Sequence, residues 1–165
     1  MKDSSSLSHP VPLLCWDIAN PLLAKRQHMA TDLQAFEGLK KQHDWQFNTN
    51  LHPLLTNNAT LVVTDRSARI IWVSHRFSQL TGYPFAEVLG QKASLLQGAK
   101  TSLSTRQLVR EKLARAEAVT ACLLNYRKNR STYWCQIDIQ PLLNATGQCT
   151  HFFAIEYEIS SPASS

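Results

Sequence analysis

The stretch LVVTDRSARIIWVS, residues 61–74, predicts two β-strands joined by a short turn. β-Branched and aromatic residues fill both halves, and residues 66–68 between them suit a hairpin turn. The sequence on either side of this hairpin indicates the rest of the fold, because helices follow it and further strands follow the helices.

Two short helices are predicted directly after the hairpin. Phe77 and Leu80 precede Gly82, a residue that suits a helix C-terminus. Pro84 fits the first turn of a second helix, which Gly90 closes. Both helices are too short to fold alone, so we expect them to pack against the strands.

A longer helix and three strands complete the predicted order. Ser104 and Gln107 form a capping-box pattern that starts the helix. Strand patterns follow at 119–126, 133–142 and 151–159. Strands that bracket a helical middle predict an α+β fold, with a five-stranded antiparallel sheet and its helices on one face.

An N-terminal helix is predicted at 20–42, with Pro21 in its first turn. Met29 and Phe36 belong to an apolar stripe along this helix, and that stripe must be covered. It lies either on the domain that follows or on a second copy of the chain, and the sequence leaves both alternatives open.

The chain is predicted to comprise one domain and its extensions. Residues 1–53 form an N-terminal helical extension, disordered at 1–10 where the sequence is rich in serine. The domain itself covers 54–159, and 160–165 form a disordered tail.

Composition argues against several classes of protein. The chain has 165 residues and a net charge of +5, but its 17 Lys and Arg residues are scattered, so a nucleic-acid partner is not favoured. The four cysteines, Cys15, Cys122, Cys135 and Cys149, form no C-x-x-C pair. With no signal peptide and no apolar run long enough for a membrane span, we expect a cytoplasmic protein without a membrane partner.

Neither a metal site nor catalysis is indicated. Cys149 and His151 lie two residues apart on one strand, which gives two possible zinc ligands where three or four are needed. No common nucleophile, phosphate-loop or metalloprotease motif is present. We therefore predict no metal and no enzymatic activity.

Several stretches between residues 63 and 134 match one known family. They are Val63-Thr64-Asp65, Leu80-Thr81-Gly82-Tyr83, Glu87-Val88-Leu89-Gly90, Leu96-Gln97-Gly98, Leu123-Leu124-Asn125-Tyr126-Arg127-Lys128 and Tyr133-Trp134. On these residues the chain from about 60 to 159 resembles a PAS domain, and it looks most like the light-oxygen-voltage (LOV) subclass. Members of that subclass bind FMN between the sheet and the helices.

The resemblance also implies which chemistry this chain lacks. The photoreactive cysteine of the subclass lies in a motif that reads GQKASLLQ here, residues 90–97, and its position is occupied by Ala93. An alanine methyl group cannot form a thioether bond to flavin, so the resemblance implies that the cysteinyl photocycle is absent.

The family's flavin-contacting positions are partly retained. Gln97 matches the glutamine that contacts the ribityl chain, Arg110 a phosphate-binding arginine, and Asn125 an asparagine at the pyrimidine edge. Four others are substituted, and each loss weakens binding by about 1–3 kcal/mol unless another group compensates. The substituted positions are Lys92, Ser94, Cys135 and Glu156.

The apolar lining of the family's pocket is largely kept. The matching positions are Val62, Thr64, Ile137, Ile139 and Phe152, with Ala154 in place of a glycine. These side chains either enclose a cavity or have collapsed into ordinary core, since an alternating strand face looks the same in both cases.

Glu156 replaces the family's glutamine next to flavin N5 and O4. A carboxylate there would repel oxidised flavin, so the group would have to be protonated, whereas a carboxylate could accept a hydrogen bond from a reduced flavin. The alternative is that Glu156 faces a polar cavity or pairs with Lys92 and no cofactor is present.

Our leading interpretation is a single-domain sensory or signalling protein of LOV ancestry. It acts through ligand-dependent or constitutive protein–protein interaction, as a homodimer or with a separate signalling protein, and the N-terminal helix serves dimerisation or transmission. An alternative is an FMN-binding redox or light sensor that works by flavin photoreduction, and another is a small nucleic-acid-binding protein, whose binding would weaken steeply with salt.

Overall fold

The computed structural model describes residues 14–161, with side chains described from residue 20 onward. The predicted disordered segment 1–10 and residues 162–165 of the predicted tail lie outside the described residues.

The five predicted strands form one antiparallel sheet. They are β1 (Thr60–Asp65), β2 (Ile70–Val73), β3 (Val119–Tyr126), β4 (Thr132–Leu143) and β5 (Cys149–Ile159). Their order across the sheet is β2-β1-β5-β4-β3, which places the last strand in the centre. The predicted α+β architecture is confirmed.

In the described part of the chain five helices accompany the sheet: α1 (Leu14–Gln42), α2 (Leu51–Thr56), α3 (Arg76–Thr81), α4 (Phe85–Val88) and α5 (Leu103–Ala114). A 3-10 turn at Ala93–Leu96 precedes α5. Helix α3 ends as predicted, because Gly82 adopts a left-handed conformation with φ 75° and its N–H bonds the Ser78 carbonyl.

Two helix starts differ from the sequence prediction. Helix α1 begins at Leu14 and contains Pro21 in its interior, whereas the sequence placed Pro21 in the first turn. Helix α5 is capped by Ser102, whose side chain accepts a hydrogen bond from the Thr105 N–H, so Ser104 lies within the helix. Capping residues compete for the same backbone donors, and several serines here offer the same chemistry.

Helices α1 and α2 cover one face of the sheet, which we call the outer face. Phe36 of α1 is the centre of the packing, with ring centroids 5.3 Å from Phe153 and 5.8 Å from Trp72. Met29 and Leu33 pack against the same cluster. The apolar stripe of α1 is therefore covered within the chain over this half of the helix.

The opposite, inner face carries α3, α4, the 3-10 turn and α5. Its packing falls into two clusters, one around Phe77 and one around Leu80. The side chains between these clusters do not close the space above β5, and the cavity described next lies there.

Candidate functional site

A cavity of about 510 Å³ lies between the inner face of the sheet, the 3-10 turn and α5. This volume is within the range of about 300–1,000 Å³ that holds drug-sized ligands. Of the two arrangements that the sequence left open, an enclosed cavity or a collapsed core, the structure shows the cavity.

All eight residues predicted to bind a cofactor line this cavity. Six of them are on the strands at positions that alternate toward the inner face, as the register shows: Thr64 is paired with Phe152, and Ile139 with Ala154. The full set comprises Gln97, Arg110, Asn125, Val62, Thr64, Ile137, Ile139 and Phe152.

The cavity holds two buried polar atoms that have no hydrogen-bond partner among the described residues. They are Oδ1 of Asn125, in a residue 4% exposed, and Oε2 of Glu156, in a residue 9% exposed. An unsatisfied buried acceptor costs about 1–3 kcal/mol, so such atoms normally face a ligand or ordered water.

Two further buried hydroxyl groups on the same face also have no partner in residues 14–161. The Thr60 hydroxyl lies on the residue directly opposite Glu156, and the Tyr133 hydroxyl on the residue directly opposite Asn125. Directly opposite residues share a face of the sheet. The inner face therefore carries several buried polar atoms whose hydrogen bonds are not satisfied by the described residues.

The carboxyl group of Glu156 is less acidic than an ordinary carboxyl group because it is buried. Burial raises its pKa from 4.5 to about 7. Glu156 forms no ion pair with a side chain of residues 20–161, and Lys92, although it lines the same cavity, does not pair with it. The sequence-based pairing of Lys92 with Glu156 is therefore not what the structure shows.

Four basic side chains surround the open end of the cavity. Besides Lys92 and Arg110 they include Arg106, one helical turn before Arg110 on α5, and Arg66, in the turn between β1 and β2. Within the described part of the chain none of the four forms an ion pair, although the Nη1 group of Arg66 donates a hydrogen bond to the Cys149 carbonyl at 3.4 Å. This open end is suited to an anionic group.

Arg66 and Arg106 were missed by the sequence prediction. The spacing of four residues between Arg106 and Arg110 could have indicated a shared helix face. Arg66 carried no such signal, because its proximity to α5 depends on how the hairpin turn folds over the cavity.

Ala93, the position that the sequence resemblance aligns with the reactive cysteine of the LOV subclass, is half-buried at the cavity wall. Ala93 lines the cavity, and its N–H bonds the Ala68 carbonyl at 2.9 Å. Of the cysteines whose side chains are described, Cys122, Cys135 and Cys149, none lines the cavity. Burial, followed by the charge of Glu156, raises the pKa of the Cys135 thiol, so this group is an unreactive core thiol.

The segment that carries Gln97 is held in place by hydrogen bonds to β3. The Lys100 N–H bonds the Tyr126 hydroxyl at 3.0 Å, and the Thr101 hydroxyl bonds the Leu124 carbonyl at 2.6 Å. Gly98 packs directly on the Tyr126 ring. Its lack of a side chain allows this close approach and places Gln97 at the cavity wall.

The remaining candidate sites are weaker. No cluster of three potential metal ligands occurs among the described side chains. None of the helices in residues 14–161 combines the length with the apolar composition that crossing a bilayer requires. The inner cavity is the strongest candidate site.

Comparison with known proteins agrees with this architecture. A model of the PAS domain family matches residues 57–161. The chain is 37% identical over 93 residues to Protein TWIN LOV 1 of Arabidopsis thaliana, which is 55% of this chain and 23% of that protein. It is also 30% identical over 122 residues to a nitrogen fixation regulatory protein of Klebsiella oxytoca, which is 74% of this chain and 24% of that protein.

A solved light-oxygen-voltage domain, from work with a flavin analogue, is similar in structure. It has a TM-score of 0.62 and 36% sequence identity over 66% of this chain and 83% of that one. The chain thus spans about a quarter of the length of the two curated relatives, but most of a single LOV domain.

Proposed function

Since the chain belongs to the PAS domain family and has LOV-domain homologues, we propose that it is a sensory module whose inner cavity binds a flavin-type ligand, with FMN as the leading candidate. One observation carries the proposal. Asn125 and Glu156 line a cavity of about 510 Å³, and each carries a buried polar atom, Oδ1 and Oε2 respectively, that has no hydrogen-bond partner among the described residues.

The cavity offers each part of FMN a matching environment. Val62, Ile139 and Phe152 supply apolar walls for a planar ring system, and Asn125 supplies polar contacts at its edge. Gln97 lines the same cavity and would contact the ribityl chain. Because these groups converge on one volume, the fit does not depend on any single retained position.

The phosphate group would lie at the basic open end of the cavity. Ser94 lacks the charge that the resemblance implies at its position, but Arg106 supplies charge from α5, and Arg66 of the β1–β2 turn also lines the cavity while its Nη1 group donates a hydrogen bond to the Cys149 carbonyl. Together with Arg110 they can replace the lost clamp. These cations surround a concave opening, which favours a small anionic ligand over nucleic acid.

A bound flavin would supply absorption of visible light and reversible uptake of electrons. With Ala93 at the cavity wall, we expect no bond between the protein and the flavin, so signalling would follow ligand binding or a change in flavin redox state. The chain would then act as a sensor and not as an enzyme.

Output would pass through protein–protein contacts of α1. Leu22 and Leu23 are 60% and 61% exposed, and Leu22 continues the stripe whose later members, Met29 and Phe36, pack on the sheet. We assign 54–159 to the sensory unit and 1–53 to an extension that associates with a second copy of the chain.

Sedimentation should show a lower mass for Leu22→Asp/Leu23→Asp but not for Leu103→Asp, which changes an exposed leucine of α5. Equal masses for all variants would refute this output.

A fluorescence titration with FMN and with riboflavin tests the ligand. We expect saturable binding of both at one site per chain, weaker in Asn125→Ala and weaker again in Ala154→Leu, which places extra volume inside the cavity. Absence of binding by the folded wild-type protein, or equal binding by Ala154→Leu, would contradict the proposal.

A further inference from the structure

Glu156 is an unusual group to find at the back of a ligand-sized cavity. It lies on the central strand β5, between Thr60 of β1 and Ile137 of β4, and its Oε2 atom has no hydrogen-bond partner in the described part of the chain. A buried carboxylate is strongly disfavoured unless a cation or several donors compensate it.

The groups around Glu156 do not provide that compensation. On β4 the titratable neighbours are Tyr133 and Cys135, and burial followed by the charge of Glu156 raises the pKa of both, so both are neutral near pH 7. On β5 the next charged residue is Glu158, which pairs with Arg127 at 2.6 Å. From α3, the side chains of Phe77 and Leu80 that pack on this face are apolar.

The cations of the site belong to its open end. Lys92, Arg66, Arg106 and Arg110 line the cavity but form no ion pair with Glu156 in residues 14–161. Burial is accordingly what raises the pKa of Glu156, without an opposing contribution from a cation. A ligand that fills the cavity removes the remaining water and disfavours the charged form further.

We propose that Glu156 enters the ligand-bound state as the neutral acid and donates its proton in a hydrogen bond to an acceptor atom on the buried edge of the ligand, so that binding at neutral pH takes up a proton. The proton comes from solvent, remains on the Glu156 carboxyl group, and returns to solvent when the ligand leaves. This rests on the proposed function and deepens it.

The inference restricts the class of ligand. An edge that presents a carbonyl oxygen or an unprotonated ring nitrogen toward β5 accepts the proton of Glu156, whereas an edge that presents an N–H group would select the carboxylate. The site therefore favours an oxidised heteroaromatic edge over one that carries an N–H at the same place, and the preference reverses as pH rises.

Riboflavin is the probe for the test, because it has no phosphate group that titrates in the same range. Its dissociation constant should be nearly constant below about pH 7 and should rise about tenfold per pH unit above it. Calorimetry in buffers of different ionisation enthalpy should show uptake of about half a proton per ligand at about pH 7.

Matched variants separate Glu156 from other titrating groups. Glu156→Gln keeps a neutral donor and should bind riboflavin with the low-pH affinity at every pH. Glu158→Gln removes the same charge from the same strand outside the cavity and should keep the wild-type pH dependence. If Glu156→Gln does not fold, calorimetry on the wild-type protein alone still tests for proton uptake on riboflavin binding.

The two proposals fail in different ways. If the wild-type protein binds no flavin at any pH, the proposed function fails and this inference fails with it. If riboflavin binds with an affinity that is independent of pH, or that increases with pH, or without proton uptake, the inference is overturned while the proposed function stands.

Discussion

The Asp32 carboxylate on α1 contacts both the ring and the backbone N–H of His75, the residue at the start of α3. Its Oδ1 atom lies 2.7 Å from Nδ1 of His75, and its Oδ2 atom accepts a hydrogen bond from the His75 N–H at 3.1 Å. Asp32 is only 5% exposed. The N-terminal helix is thus fixed to the point where β2 leads into α3, an element that packs on the inner face of the sheet.

Replacing Asp32 should loosen this attachment. Asp32→Ala leaves the His75 N–H and ring nitrogen without their acceptor in a partly buried place, so we expect a loss of about 1–3 kcal/mol in the free energy of unfolding. Urea denaturation measures it. Glu37→Ala, on an exposed position of the same helix, is the matched control and should change stability by less than about 0.5 kcal/mol. Equal effects of the two substitutions would show that the contact contributes nothing.

The basic end of the cavity should act on the phosphate of FMN and not on its ring. Arg106→Gln and Arg110→Gln are each expected to weaken FMN binding by about tenfold, since a charged hydrogen bond contributes about 1.5–3 kcal/mol. Riboflavin binding should stay unchanged. Arg115→Gln at the C-terminus of α5, which does not line the cavity, is the control. Parallel losses for FMN and riboflavin would argue against a phosphate site.

A methyl group at Gly98 should disturb the segment that carries Gln97. A Cβ atom there would lie 2.5 Å from Cε2 of Tyr126, and that ring is fixed by the hydrogen bond from the Lys100 N–H to its hydroxyl. We expect Gly98→Ala to lower the free energy of unfolding by about 1–3 kcal/mol and to weaken ligand binding. Thermal unfolding and titration measure both effects.

The matched control for this change is Gly38→Ala. No atom lies within 4 Å of a Cβ atom at Gly38, and the residue is on an exposed face of α1. Alanine is the better helix former, so this variant should be as stable as the wild type or more stable by up to about 1 kcal/mol. A Gly98→Ala protein that behaves in the same way would mean that the Tyr126 ring moves at no cost.

Glu156 should make the ligand-free protein less stable at high pH. Its pKa rises from 4.5 to about 7 on folding, so the folded protein binds more protons than the unfolded chain between these values. Stability due to this group is full below about pH 4.5 and is lost as pH rises through about 7. Relative to Glu156→Gln, the wild-type protein should lose about 3 kcal/mol across that window in urea denaturation. A difference between the two proteins that does not vary with pH would show that the carboxyl group is not buried.

Local patterns predicted the sheet, and the resemblance to the LOV subclass predicted much of the site. The resemblance assigned Val62, Thr64 and Phe152 to a pocket lining, and all three line the cavity because a side-chain period of two brings them to the same buried face. Gly82 marked a helix end for an equally local reason.

Features that depend on packing were not predicted. The short helix α2 was missed because Leu51 and Leu55 indicate a helix only once the sheet is there to cover them. Arg66 comes to the cavity through a turn that carries no charge pattern. The unpartnered hydroxyls of Thr60 and Tyr133 follow from strand register, which a single sequence does not give.

The absorbance spectrum before and after blue light, recorded for the wild-type protein and Ala93→Cys after incubation with excess FMN and gel filtration, tests the central claim most directly. We predict the visible flavin band in both proteins and, with oxygen excluded, a light-driven loss that recovers in the dark in Ala93→Cys alone, because a photoreduced flavin needs an oxidant to recover whereas a cysteinyl adduct does not. Wild-type protein without the band would contradict flavin binding in the cavity, and a light-driven loss that recovers without oxygen in the wild-type protein would contradict the role assigned to Ala93.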